Sequence, residues 1–101
     1  MAVFTGVRGC ISSAHYSKEG ALHGHTWSVT VWFAADEVSP PDAVALAARV
    51  RDYLKQWDHT LLPEELAWGE RLASRFGADL GACRVVVSRE QEGIFAEWIA
   101  A

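Results

Sequence analysis

A chain of 101 residues, 50% apolar and with five Trp, is long enough and apolar enough to bury one core, which excludes a disordered tail or linker. Its net charge of −4, with no Lys/Arg-rich run, excludes a sequence-independent nucleic-acid footprint. The two cysteines, Cys10 and Cys83, make no disulfide framework and no CxxC pair. The start has no signal-peptide pattern, and no apolar run approaches the ~20 residues of a membrane span. The expectation is one domain over residues 1–101, in a soluble, reducing compartment that is by default the cytoplasm, with no membrane and no nucleic acid as partner.

In chain order, Ala2 to Ser13 reads as a first strand, with Gly6 and Gly9 marking bulges or bends. A loop of small and polar residues, Tyr16 to Leu22, leads to the clearest strand, His23 to Ala34. There His23, His25, Trp27, Val29, Val31 and Phe33 share one parity, so the histidines continue the apolar face. Ser39-Pro40-Pro41 suits a helix entry, and Val44, Ala47, Val50, Leu54 and Trp57 form a helical stripe ended by Asp58-His59. Pro63 opens a second helix with Leu66, Leu72, Ala73 and Phe76 on its apolar side and Gly77 as its cap. Arg84 to Arg89 and Ile94 to Ala100 read as strands around a turn at Gly93. The order β-β-α-α-β-β predicts an α+β fold with two helices on one four-stranded antiparallel sheet. Its two sheet edges must be covered, which favours self-association.

The chemistry concentrates in HYSKEGALHGHTW, which holds three of the four histidines. His23 and His25 are two apart on a strand and face one point, and His15 can close on it from the neighbouring strand. Three imidazoles without a thiolate match an open, catalytic metal site rather than a closed structural one. An HxH pair on a strand is also commonly a plain surface pair, and spacing by itself leaves both readings open.

Taken together, Ala14-His15, Leu22-His23-Gly24-His25, Asp58-His59 and the run Val85-Val86-Val87 leading to Glu90 resemble the 6-pyruvoyl-tetrahydropterin synthase / 6-carboxytetrahydropterin synthase family. The interval from Glu90 to Trp98, and Asp42-Ala43 at the helix entry, fit the same pattern. The resemblance implies the T-fold, in which sheets of several subunits form a barrel, as a homo-oligomer (trimer or hexamer) with sites between subunits. It also implies Zn²⁺ held by His15, His23 and His25, and proton transfer by His59 supported by Asp58. Glu90 would anchor a pterin-like small-molecule substrate through its 2-amino-4-oxo edge. The implied reaction is lyase or synthase chemistry on the side chain of 7,8-dihydroneopterin triphosphate or a close analogue.

Two departures stand out. Where the carboxytetrahydropterin synthases have a cysteine four residues before HGH, this chain has Glu19, a carboxylate with an ordinary pKa of about 4.3 rather than a thiol near 8.5. Glu19 either replaces the thiol as proton shuttle, as in branches that form 6-hydroxymethyl-dihydropterin, or is a solvated loop residue. Cys10 has the wrong parity to serve instead. The segment after Asp58-His59 is also short, reaching Leu62-Pro63-Glu64-Glu65 almost directly, which bears on the substrate more than on the fold. Arg8, Lys18 and Arg89 are candidate phosphate-binding cations, although lone basic residues are mostly solubilisers. A zinc-dependent cyclase or lyase for a non-pterin metabolite, and a non-catalytic zinc-binding module, remain as rival readings.

Overall fold

The computed structural model describes residues 2–17 and 19–101, so Lys18 lies outside the described residues. Strands β1 (Val3–Tyr16) and β2 (Leu22–Ala35) form a long hairpin, α1 (Ala43–Leu54) and α2 (Gly69–Leu80) follow, and β3 (Arg84–Arg89) and β4 (Ile94–Ile99) close the sheet. All neighbours are antiparallel and the spatial order is β1-β2-β3-β4. The element order and the antiparallel sheet are those that the hydrophobic patterning predicts. Among the described residues, no helix is long and apolar enough to cross a membrane.

Both helices lie on the face carrying the odd-numbered residues of β1, β2 and β3. Val7, Ile11, Trp27, Val29, Val31, Val85 and Val87 are buried there against Val50 and Leu54 of α1 and Leu72, Ala73, Phe76 and Leu80 of α2. Each Val, Leu, Ile or Phe side chain so removed from water contributes about 1.5–3 kcal/mol before entropy is counted. Asp42 caps α1 by accepting from the Val44 and Ala45 N–H groups, satisfying donors that have no partner inside the helix.

Four local expectations are corrected. The β1–β2 register runs unbroken from Val3↔Ala35 to Tyr16↔Leu22, so Gly6 and Gly9 mark no bulge. A Cβ at Gly9 would lie 2.8 Å from Leu54 Cδ1, so the glycine lets α1 approach the sheet. Val44 is 81% exposed and outside the stripe, because it occupies the first turn, before α1 reaches the sheet. Pro63 opens only a short helical turn, Glu64–Leu66, and α2 starts afresh at Gly69.

Finally, α2 ends at Gly81 (φ 67°), not at Gly77. Gly77 is buried within the helix, where a Cβ would meet the Trp98 ring at 2.1 Å. Periodicity cannot tell a glycine needed for close approach from one needed for a cap. The distinction is testable. Gly77→Ala is expected to cost about 3 kcal/mol, the upper part of the usual range for overpacking, read as a lower urea midpoint at constant m-value. Gly81→Asn, at a site that needs only a left-handed backbone, should cost under about 1 kcal/mol. Equal losses at the two positions would contradict the assignment.

The helices are also tied to each other. The Arg49 guanidinium donates to the Leu80 carbonyl (2.7 Å), and the Tyr53 hydroxyl donates to Asp79 Oδ2 (2.5 Å). Burial, reinforced by the Asp79 carboxylate, raises the Tyr53 phenol well above its ordinary value of 10.0. The folded state therefore keeps this proton where the unfolded chain loses it. Stability associated with Tyr53 is intact below pH 10 and falls as pH rises past the unfolded value. Urea titrations from pH 9 to 11 should show this fall in the wild type and a flatter profile in Tyr53→Phe. Parallel profiles would remove Tyr53 as the cause.

Candidate metal centre and active-site groove

Only Ser28–Trp32 of β2 pair with β3, so the far end of the β1–β2 hairpin overhangs the sheet. The overhang carries the histidines. The register sets His15 directly opposite His23 and His25 opposite Ser13, so all three imidazoles leave the same face. Ring centroids are 4.6, 4.9 and 5.2 Å apart, and one nitrogen from each ring falls within 4.8 Å of the others.

The donor set fits a metal. His15 Nδ1 lies 3.2 Å from the Tyr16 carbonyl, an acceptor that favours the Nδ1–H tautomer. That leaves the lone pair on Nε2, which is buried and has no hydrogen-bond partner among the described residues. Burial, then the nearby Arg89 charge and the His15 ring, lower the pKa of His25 from 6.5, so it is neutral at neutral pH, as a ligand must be. Three imidazoles with one nitrogen each turned to a common point suit Zn²⁺.

The second constellation is built by a segment running along the outer edge of β1. His59 N–H donates to the Ser12 carbonyl (2.6 Å), Ala14 N–H to the Thr60 carbonyl (2.9 Å) and Leu62 N–H to the Ala14 carbonyl (2.8 Å). This pairing covers part of an edge that the strand count leaves open. It also holds Asp58 in place: Oδ1 accepts the Ser12 N–H at 2.7 Å and Oδ2 lies 2.9 Å from His59 Nδ1. The Ser12 N–H, more than the His59 ring, holds the Asp58 carboxyl below its ordinary value of 3.8. His59 has φ 54°, a left-handed backbone rare for a side-chain-bearing residue, and its imidazole is 83% exposed. Adjacency in sequence does not guarantee an Asp–His contact; here the turn at His59 makes one.

Glu90 opens the turn after β3 and accepts a hydrogen bond from Ser88 Oγ (2.8 Å). It lines one groove of about 940 Å³ together with His25 and His59. Cys10 also lines that groove. It sits on the sheet face opposite His15, as parity requires, yet the groove reaches round to it. Glu19 is exposed in the β1–β2 turn and does not line the groove. Of the candidate cations, Arg8 is exposed and its Nε donates to Thr30 Oγ1, whereas Arg89 lies beside His25 and lines the groove. Neither the motif nor the periodicity singles out Arg89. Its odd parity on β3, the parity of Val85 and Val87, is the one available clue.

The sequence profile of 6-pyruvoyl tetrahydropterin synthase matches residues 8–97. The chain belongs to the 6-pyruvoyl tetrahydropterin synthase family. A solved structure of Caenorhabditis elegans 6-pyruvoyl tetrahydropterin synthase has a similar fold, with a TM-score of 0.73 at 17% identity. The similarity covers 100% of this chain and 97% of that one. No curated protein matches the sequence significantly. The β-β-α-α-β-β T-fold of the family is therefore the fold of this chain, and its long hairpin and edge-covering segment bring the family's motif residues to one end of the sheet.

Proposed function

We propose that this protein is a zinc-dependent lyase or synthase acting on the side chain of 7,8-dihydroneopterin triphosphate or a close analogue. The observation that carries the reading is the convergence of His15, His23 and His25 on one point, with His25 lining the groove that His59 and Glu90 also line. Zinc held by the three histidines supplies Lewis acidity towards side-chain oxygens of the substrate. His59, with Asp58 at its Nδ1, keeps Nε2 free to accept a proton from the substrate side chain. Glu90 accepts paired N–H bonds from the 2-amino-4-oxo edge of the ring.

Glu19 is assigned the proton-shuttle role by its place in the sequence alone. A second reading, a T-fold cyclase or lyase for a non-pterin metabolite, draws on the position of Glu19 outside the groove. A homo-oligomer, trimer or hexamer, with sites completed between subunits is supported by β4, an edge strand on which Ile94, Phe95 and Ile99 are exposed. The unpaired thiols Cys10 and Cys83 accord with the cytoplasm.

The test is to incubate zinc-loaded protein with 7,8-dihydroneopterin triphosphate and identify products by mass spectrometry. A carboxy- or hydroxymethyl-pterin is expected. Substrate that comes back unchanged and also fails to bind would sink the pterin assignment.

A further inference from the structure

Arg89, the last residue of β3, is no solubilising surface cation. Its side chain is 21% exposed, its guanidinium carbon lies 5.4 Å from the Trp27 ring centroid, and its Nε is buried with no hydrogen-bond partner among the described residues. Nη2 donates to Glu92 Oε2 at 2.6 Å. Nη1 lies 3.1 Å from Nε2 and 3.5 Å from Nδ1 of His25, and Glu92 Oε1 stands 3.7 Å from that Nδ1. The guanidinium is thus fixed from three sides, by an indole face, a carboxylate and one imidazole of the triad. It is also the one Lys or Arg among the described residues that line the groove.

An N–H directed at an imidazole nitrogen engages the lone pair that a metal ligand must offer. A permanent positive charge so close to the triad also repels a dication. Glu92 opposes both effects, because it draws the guanidinium towards itself and neutralises part of its charge. We propose that Arg89 and Glu92 together set the affinity of the histidine triad for divalent metal: Arg89 weakens it by sharing His25, and Glu92 limits that weakening. The proposal rests on the metal reading above and deepens it.

The test is a competition titration of zinc against a chromophoric chelator, on the full chain, comparing wild type with Arg89→Met and Glu92→Gln. Met keeps an apolar stem over Trp27 and removes both the charge and the donor. Arg89→Met is expected to bind zinc about tenfold tighter and Glu92→Gln about tenfold weaker, in the range typical of groups that contact a ligand. Both gaps should shrink as ionic strength rises. A residue that only props the site open would lose affinity when replaced, so a gain separates the two roles. Arg89→Met at or below wild-type affinity overturns the proposal. If that variant fails to fold, unchanged affinity in Glu92→Gln does the same. A wild-type chain that binds no zinc at the triad overturns the metal reading itself, which distinguishes the two failures.

Discussion

Alanine at His23 or at His25 is expected to reduce bound zinc from about one ion per chain to under about a tenth, measured by atomic emission after desalting. The size of the effect follows from the ligand count. A three-histidine site has no spare protein ligand, and the Glu92 carboxylate, 3.7 Å from His25, is already bound to Arg89. His15→Ala should behave alike, because its Nε2 is buried with no other described partner and the register sets it opposite His23. Cys10→Ala and Cys83→Ala should keep wild-type zinc. Cys10 lies on the other sheet face, and the Cys83 thiol donates to the Trp32 carbonyl at 3.2 Å. Wild-type occupancy in both His23→Ala and His25→Ala would remove the triad as the metal centre.

His59→Ala is expected to lower kcat roughly a hundred- to ten-thousand-fold with little change in KM, the signature of a lost proton-transfer group. Folding should be spared, since the side chain is exposed and its pairing with β1 is made by its backbone. His59→Gly sharpens the point. Glycine adopts φ 54° without penalty, so this variant should gain up to about 1 kcal/mol in stability while losing the same activity. Asp58→Asn should cost activity less and shift its pH profile, because it keeps an acceptor for the Ser12 N–H but loses the charge beside His59. The depressed pKa of Asp58 fixes the pH sign. Its stabilising contribution is present above about pH 4 and is lost as pH falls through the lower folded value, so it introduces no limb near neutrality. An unchanged kcat in His59→Ala would exclude His59 as the proton acceptor.

How much of this was legible in the sequence differed by level. The strands, the helices and the parity of the histidines were readable because period-two and period-three-to-four patterns report burial directly. The triad was readable for the same reason. It needs only the HxH parity and one register, and a hairpin with few residues between its strands has little freedom to misplace His15. What patterning hid were contacts between elements far apart in sequence. The roles of Gly9 and Gly77 depend on where Leu54 and Trp98 come to rest, and local periodicity carries no record of that. The Asp58–His59 contact depends on a left-handed backbone and on Ser12, 46 residues earlier. Arg89 beside His25 depends on how far the hairpin overhangs β3. Glu19 shows the reverse case. Sequence position marked it, yet the turn that carries it places it outside the groove.

The central claim is that His15, His23 and His25 hold a metal with an open position beside the groove. X-ray absorption at the zinc edge of the loaded protein tests it most directly. The expected first shell is three imidazole nitrogens at about 2.0–2.1 Å with one further light atom from solvent. A sulfur scatterer at about 2.3 Å, or fewer than three imidazoles, would contradict it.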